Sequence, residues 1–397
     1  MNKPGSFLKV EGKNIVDQNG QKIRLRGVNF GGWLMMEGYI LHGRNIPEHR
    51  LKQEFVRLNG EKELENFQRL YRENFITQAD VRRIKKLGAN CLRLPFNYRL
   101  LEDERGWFYL DQMIKWCGRE GLWCILDLHA APGAQNADWH SDSDGLARFW
   151  QEEKFRRQYL AIWRKIAQRY KEEAAIAGYD VLNEPVLNNP RLLTRFYHEV
   201  VREIRRVDRG HILFLEANLW GQQLKPMGRP WDKNIVYSIH VYQPLNFTFN
   251  FQPRLEYPGR INGRYWDKRR VEQMLIPYHE LAEKWQAPIY VGEFGVNFRS
   301  LKAYGELDYL KDVLETFQKF GFHWTYWTFK AAANEVYPDG IYQYLPNSPW
   351  IKREGPTLGW ENFPSLWKTQ KRQIVSSWRT ERFSENRPLT SLLSRYF

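Results

Sequence analysis

The sequence predicts an α/β fold, a (β/α)8 barrel with an N-terminal β-hairpin closing its floor. Three observations predict it. Eight short, near-continuous apolar runs recur along the chain, as a parallel sheet covered on both faces requires. Amphipathic helical stretches separate most of them. Polar or aromatic residues finish most of the runs. A doubly wound open sheet would alternate in the same way, but no Gly-rich nucleotide turn follows the first strand. The 397 residues suit one large barrel or two average domains. With no Pro/Ser linker, repeat or low-complexity tract, a single catalytic domain over 1–397 is expected.

The first element is "FLKVEGKNIVDQNGQKI". Its Asn19-Gly20 turn signal predicts a hairpin over 7–23. The eight runs follow in order: "KIRLRGVNF" (22–30), "ANCLRLPF" (89–96), "LWCILDLH" (122–129), "AGYDVLNE" (177–184), "HILFLEA" (211–217), "IVYSIHVY" (235–242), "PIYVGEFG" (288–295) and "FHWTYWTF" (322–329). Between them the helices have readable grammar. Thr77 and Asp80 form a capping-box start, Val81, Ile84 and Leu87 share a face, and Gly88 suits the exit. Tyr159, Trp163, Ile166 and Tyr170 keep helical spacing, as do Leu310, Leu314 and Phe317 before Gly321. Long connections at 35–75 and 243–270 are candidate site loops. The basic tail, 371–397, is expected to be a helix followed by loose chain.

Composition narrows the function. The net charge is +14, but the basic residues are spread along the chain. No zinc-finger spacing, Walker loop or RNA-binding aromatic signature accompanies them, so nucleic acid is not an expected partner. Seventeen Trp, 21 Tyr and 23 Phe suit a cleft that stacks the flat apolar faces of sugar rings. Cys91, Cys117 and Cys124 sit in apolar surroundings and are expected to be free buried thiols. No run reaches membrane-spanning length and "MNKPGSFLKV" lacks a secretory apolar region. The expectation is a cytoplasmic protein, or a secreted one whose signal peptide is already removed, acting as a monomer.

Chemistry in barrels sits where strands finish. Here the first run ends at Asn29, the second carries Arg93, the third ends at His129 and the fourth at Asn183-Glu184. The sixth brings His240 and Tyr242, the seventh Glu293 and the eighth Trp327. Pro185 should bias Glu184 toward extended backbone, and Gly292 and Gly295 relax the chain beside Glu293. Paired glutamates on opposite strands are what cleavage of a glycosidic bond uses: one protonates the leaving oxygen while the other attacks the anomeric carbon. His129, Asp138, His140 and Asp142 could instead be read as a metal cluster, but they lack the paired i, i+4 histidines of a zincin. No metal and no cofactor is expected. No GxSxG elbow points to a serine esterase.

"RGVNFGGW", "LRLPFNY", "DLHAAPGAQN", "LNEP", "HVYQP" and "VGEFG", in this order over residues 20 to 330, resemble glycoside hydrolase family 5. The resemblance implies a retaining β-glycosidase with Glu184 as acid/base and Glu293 as nucleophile. It implies that Asn183 holds the sugar 2-hydroxyl and that Arg93 and Tyr242 flank Glu293. His129 and His240 would line the −1 site, and Trp327 would floor it. Ionised Glu293 would then raise the pKa of Glu184 and keep it protonated. Glu37, in "GGWLMMEGYI", and Asn136 extend the resemblance toward the exo-β-1,3-glucanase branch, where a similarly placed Glu grips the terminal sugar. Past Asn136, "ADWHSDSDG" departs from that branch, and "VYSIHVYQPLNFTFNFQPRLEYPG" is similar to bacterial cellulase-like members. The implied substrate is a β-linked oligo- or polysaccharide, a β-glucan or short β-glucoside. A β-mannanase and an inactive carbohydrate-binding barrel are the alternatives.

Overall fold

In the computed structural model, which describes residues 7–298, 303–332, 336–343 and 359–397, all eight apolar runs hold strands. We number them β1 (Arg26–Asn29), β2 (Cys91–Asn97), β3 (Trp123–Ala130), β4 (Ile176–Asp180), β5 (Ile212–Glu216), β6 (Ile235–Val241), β7 (Ile289–Phe294) and β8 (His323–Tyr326). They pair in parallel in chain order, and β8 returns to β1 to close the barrel. Strands β2 to β8 are buried at every position. That explains why they read as apolar runs rather than as alternating patterns.

The N-terminal segment forms three antiparallel strands, Lys9–Glu11, Asn14–Val16 and Lys22–Ile23, one more than the expected hairpin. Leu8 and Ile15 join Cys91, Trp123, Ala177, Ile212, Val236 and Tyr290, which lie at or near the starts of six barrel strands, in one buried cluster. The hairpin therefore plugs the floor and leaves the opposite rim for chemistry. All three cysteines are free and buried.

Local signals survive in the helices. Gln78–Lys86 starts with the capping box, where Thr77 N donates to Asp80 Oδ2 at 2.8 Å. Glu153–Tyr170 buries Tyr159, Trp163, Ile166 and Tyr170. Trp163 Nε1 donates to Val181 O at 3.0 Å, and Tyr159 OH donates to the same carbonyl. A helix on the outside of the barrel thus fixes the segment that carries Asn183 and Glu184.

Three expectations change. Helix and strand do not alternate strictly, because β5 and β6 are joined by a short turn, Asn218–Gly221, and a 3-10 turn, Lys225–Met227. The 35–75 connection is largely helical, Glu48–Asn59 and Glu61–Phe75. Its Phe55, Phe67 and Tyr71 pack on Trp367 and Trp378 from the C-terminal region. The tail is not loose either. It continues through Phe363–Ser377 to Arg387–Ser394, Arg26 Nη1 donates to Tyr396 O at 2.7 Å, and Phe397 stacks on Trp324. Sequence reading weighs the tail's basic charge. The structure shows that Trp367, Trp378, Leu389 and Leu393, all buried, decide its fate.

Lys330, just past β8, points away from the rim. Its Nζ donates to Trp378 O at 2.8 Å, to Thr380 Oγ1 at 3.0 Å and to Phe75 O. Lys330→Met should orphan these acceptors and lower unfolding stability by about 1–3 kcal/mol. Chemical denaturation reads this directly, and an unmoved midpoint would show that the clamp carries no stability.

Candidate active site

The rim opposite the hairpin holds a cleft of ≈ 350 Å³. Glu37 and Tyr39 reach it from the segment after β1, His129 from the end of β3, and Glu184 from the segment after β4. His240 and Tyr242 enter from β6, Glu293 from β7 and Trp327 from just past β8. Parallel strands deliver these side chains together because all eight finish on one side.

Arg93 is the electrostatic centre beneath the cleft. It lies inside the barrel on β2, not at the strand's end, and is fully buried. Nη1 donates to Glu293 Oε1 at 2.8 Å and Nε to Asp180 Oδ2 at 2.7 Å. Nη2 donates to Asn183 Oδ1 at 2.8 Å and lies 3.0 Å from Asp127 Oδ2. One guanidinium thus faces three carboxylates. Tyr242 OH holds the other oxygen of Glu293, Oε2, at 2.8 Å. Both oxygens of that carboxylate are thus fixed by donors.

Glu184 is held differently. His240 Nδ1 lies 2.8 Å from Oε1, and His140 Nε2 lies 3.2 Å from Oε2. The same His240 nitrogen is 3.6 Å from Glu293 Oε2. Oxygens of the two glutamates can therefore be no farther apart than the sum of those contacts, about 6.4 Å. This bound on one oxygen pair admits the 5–5.5 Å carboxyl spacing of retaining pairs.

The backbone of Glu184 corrects one expectation. Its φ is +46°, not extended, although Pro185 follows. Asn136 Nδ2 donates to Glu184 O at 2.9 Å and Gln135 Nε2 to Asn183 O at 2.8 Å. These tertiary bonds override the local preference and store strain at the site. Burial raises the pKa of Glu184 most and Asp138 adds to it, while His140, His129 and Arg93 oppose.

Burial also drives the pKa of His129 and His240 down to about 3, so both imidazoles are neutral. His129 Nδ1 donates to Asp127 Oδ2 at 2.7 Å, and the ring stacks on Trp327 at 5.6 Å. Trp327 Nε1 donates to Tyr39 OH. Glu37 is pushed up to about 8 by burial, opposed by His140, and its Oε1 has no hydrogen-bond partner among the described residues.

Donor atoms of Glu184, Glu216 and His240 lie within 4.8 Å of one another. His240 turns Nδ1 to Glu184 and Nε2 to Glu216, at 3.4 Å, so one imidazole spans the two carboxylates instead of converging with them on a point. Nor do His129, Asp138, His140 and Asp142 converge. Asp142 faces away, onto His49 Nδ1 at 2.9 Å and Asn97 Nδ2 at 3.1 Å.

The family model described as Cellulase (glycosyl hydrolase family 5) matches residues 53–333. The chain belongs to glycosyl hydrolase family 5. A β-xylosidase of Phanerodontia chrysosporium is 33% identical over 82% of this chain and 71% of its own length. Endoglucanase C of Acetivibrio thermocellus is 25% identical over 68% and 89%. The crystal structure of endoglucanase Cel5A from Thermotoga maritima shares the fold, with a TM-score of 0.62, 21% identity and coverage of 93% of this chain and 96% of that one. This family 5 chain is a glycoside hydrolase.

Of the residues singled out in the sequence, Glu37, His129, Glu184, His240, Tyr242, Glu293 and Trp327 line the cleft of the family 5 enzyme. Arg93 and Asn183 lie directly beneath it. Asn136 does not line it, because its amide is engaged with the Glu184 carbonyl. Sequence reading names a polar end for seven strands and none for β5. Glu216 fills that place, fully buried, with a pKa raised well above the usual range by burial first. His140, Asp138, Trp139, Trp220, Phe249, Phe251 and Tyr337 also line or border the cleft and were not assigned to the sugar site from sequence. The first two enter only the rejected metal reading. The signal for Asp138, Trp139 and His140 is the polar and aromatic density of "ADWHSDSDG", which alone does not say which way a loop folds.

Proposed function

We propose that this enzyme removes single sugars from the non-reducing ends of β-glucans or short β-glucosides by double displacement. Glu293 attacks the anomeric carbon, and Glu184 protonates the leaving oxygen and later takes a proton from water. The short glutamate separation supports retention. Asn183, whose Oδ1 is taken by Arg93, keeps amide hydrogens for a sugar hydroxyl, and Trp327 offers a stacking face.

The observation that carries the exo reading is an aromatic wall. Tyr337 packs against Tyr39 at 5.1 Å and against Trp139 at 5.3 Å, joining the segments that follow β1, β3 and β8. The buried Glu37 carboxyl, with one oxygen unpartnered, lines the cleft alongside Tyr39. A wall at this position would stop a polymer from threading through, and a buried acid behind it suits the hydroxyls of a terminal ring.

The test is hydrolysis of laminarin, lichenan, carboxymethylcellulose, mannan and aryl β-glycosides, followed by product sizing and viscosity. The expected result is a monosaccharide released from the outset with slow loss of viscosity. Rapid viscosity loss with mixed oligosaccharides would overturn exo action. A β-xyloside in the panel addresses a second reading, favoured by the 33% identity to a β-xylosidase. Glu37→Ala should lower kcat/KM on short substrates by about 10- to 100-fold, and an unchanged value would remove Glu37 from sugar binding.

A further inference from the structure

The acid/base carboxyl is bracketed by two imidazoles, and only one of them was expected there. His140 sits on the 3-10 turn Trp139–Ser141 in the loop after β3. Its Nε2 lies between two carboxylates, 3.2 Å from Glu184 Oε2 and 3.6 Å from Asp138 Oδ2. Asp138 is anchored in turn by Trp220 Nε1, which donates to the same Oδ2 at 2.8 Å. Edge contacts with Trp139 at 5.7 Å and His129 at 5.9 Å fix the ring.

We propose that His140 is a proton-sharing and positioning residue, so that the Glu184–His140 pair, rather than a lone carboxyl, holds the exchangeable proton of acid/base catalysis. This rests on the reading of Glu184 as the acid/base. In the first step the leaving oxygen takes a proton from Glu184, and the Nε2 proton of His140 can pass to the carboxylate left behind. In the second step the proton that water gives to Glu184 returns the pair to its starting state. No proton is gained or lost over the cycle.

The surroundings of His140 support this. Asp138 faces it from its own loop, Glu184 from beyond β4, Glu37 from beyond β1, and Asp127 and His129 from β3. Burial disfavours the imidazolium, but the close approach of Asp138 and the charges of Glu184, Asp138 and Glu37 outweigh it and lift the pKa to about 9. Strongly coupled groups lose protons as a pair. Acid catalysis then persists until the pair loses its last proton, in the range set by the imidazole. A lone carboxyl would lose its proton sooner.

The test compares kcat/KM against pH for wild type, His140→Asn and Asp138→Asn on phenyl β-glucoside. It is paired with NMR titration of the His140 ring in wild type and Glu184→Gln. His140→Asn should move the alkaline limb to lower pH by about one unit, a tenfold loss above it, and Asp138→Asn should move it the same way. In Glu184→Gln the His140 ring should titrate at lower pH, because a partner charge is gone. Removal of a positive charge acting only through space would move the limb the other way. A limb that stays or rises, or a His140 titration indifferent to Glu184→Gln, overturns the proposal. If Glu184→Gln keeps wild-type activity, the acid/base assignment itself falls.

Discussion

Glu293→Gly is expected to lose at least about a thousandfold in kcat, and azide is expected to restore turnover with an inverted glycosyl azide as product. Arg93 Nη1 and Tyr242 OH each hold one oxygen of Glu293 at 2.8 Å. On the proposed mechanism these two bonds fix the direction of attack. Glycine would remove the proposed nucleophile and open room for a small anion beside Arg93, which is buried with Asp180 and Asp127. Azide then attacks the face that Glu293 would have used, so one displacement replaces two and the configuration inverts. Loss of activity without rescue would point to collapse of the Arg93 network, and wild-type activity would remove the assignment.

Glu184→Gln carries the second large effect, and it should depend on the leaving group. General acid catalysis contributes about 10²–10⁴-fold, and phenyl β-glucoside should lose that full factor. A dinitrophenyl glucoside needs no proton to depart, so its first step should survive while breakdown of the intermediate slows. Burial raises the pKa of Glu184, so the acid form persists to higher pH than an exposed carboxyl allows. Activity on the phenyl substrate falls as pH rises through that range, and the limb disappears in the variant. Equal losses on both substrates would show that Glu184 has a structural role.

The fold was legible because burial on both faces leaves a plain trace in sequence. Each of the eight apolar runs coincides with its strand to within a residue at the overrunning end, and the capping box at Thr77 and Asp80 stands as read. The glutamates were legible because they end such runs. What escaped depends on long-range contacts. The positive φ of Glu184 is imposed by Asn136 and Gln135 from another loop. Asp127 shares the parity of His129 on β3 and binds both His129 and Arg93, a pairing that alternate-residue reading of the strand could have suggested. His140 gave no periodic signal, because a one-turn 3-10 segment has none to give. The tail's packing rests on aromatic side chains scattered over a stretch whose charge draws the eye first.

In the proposed double displacement both glutamates serve one anomeric carbon in succession. A time-resolved proton NMR spectrum of an aryl β-glucoside digest reads this without any variant. The β-anomer of the free sugar should appear first, with the α-anomer growing in only by mutarotation. An α-anomer formed first would mean a single displacement by water and would contradict the roles given to Glu184 and Glu293.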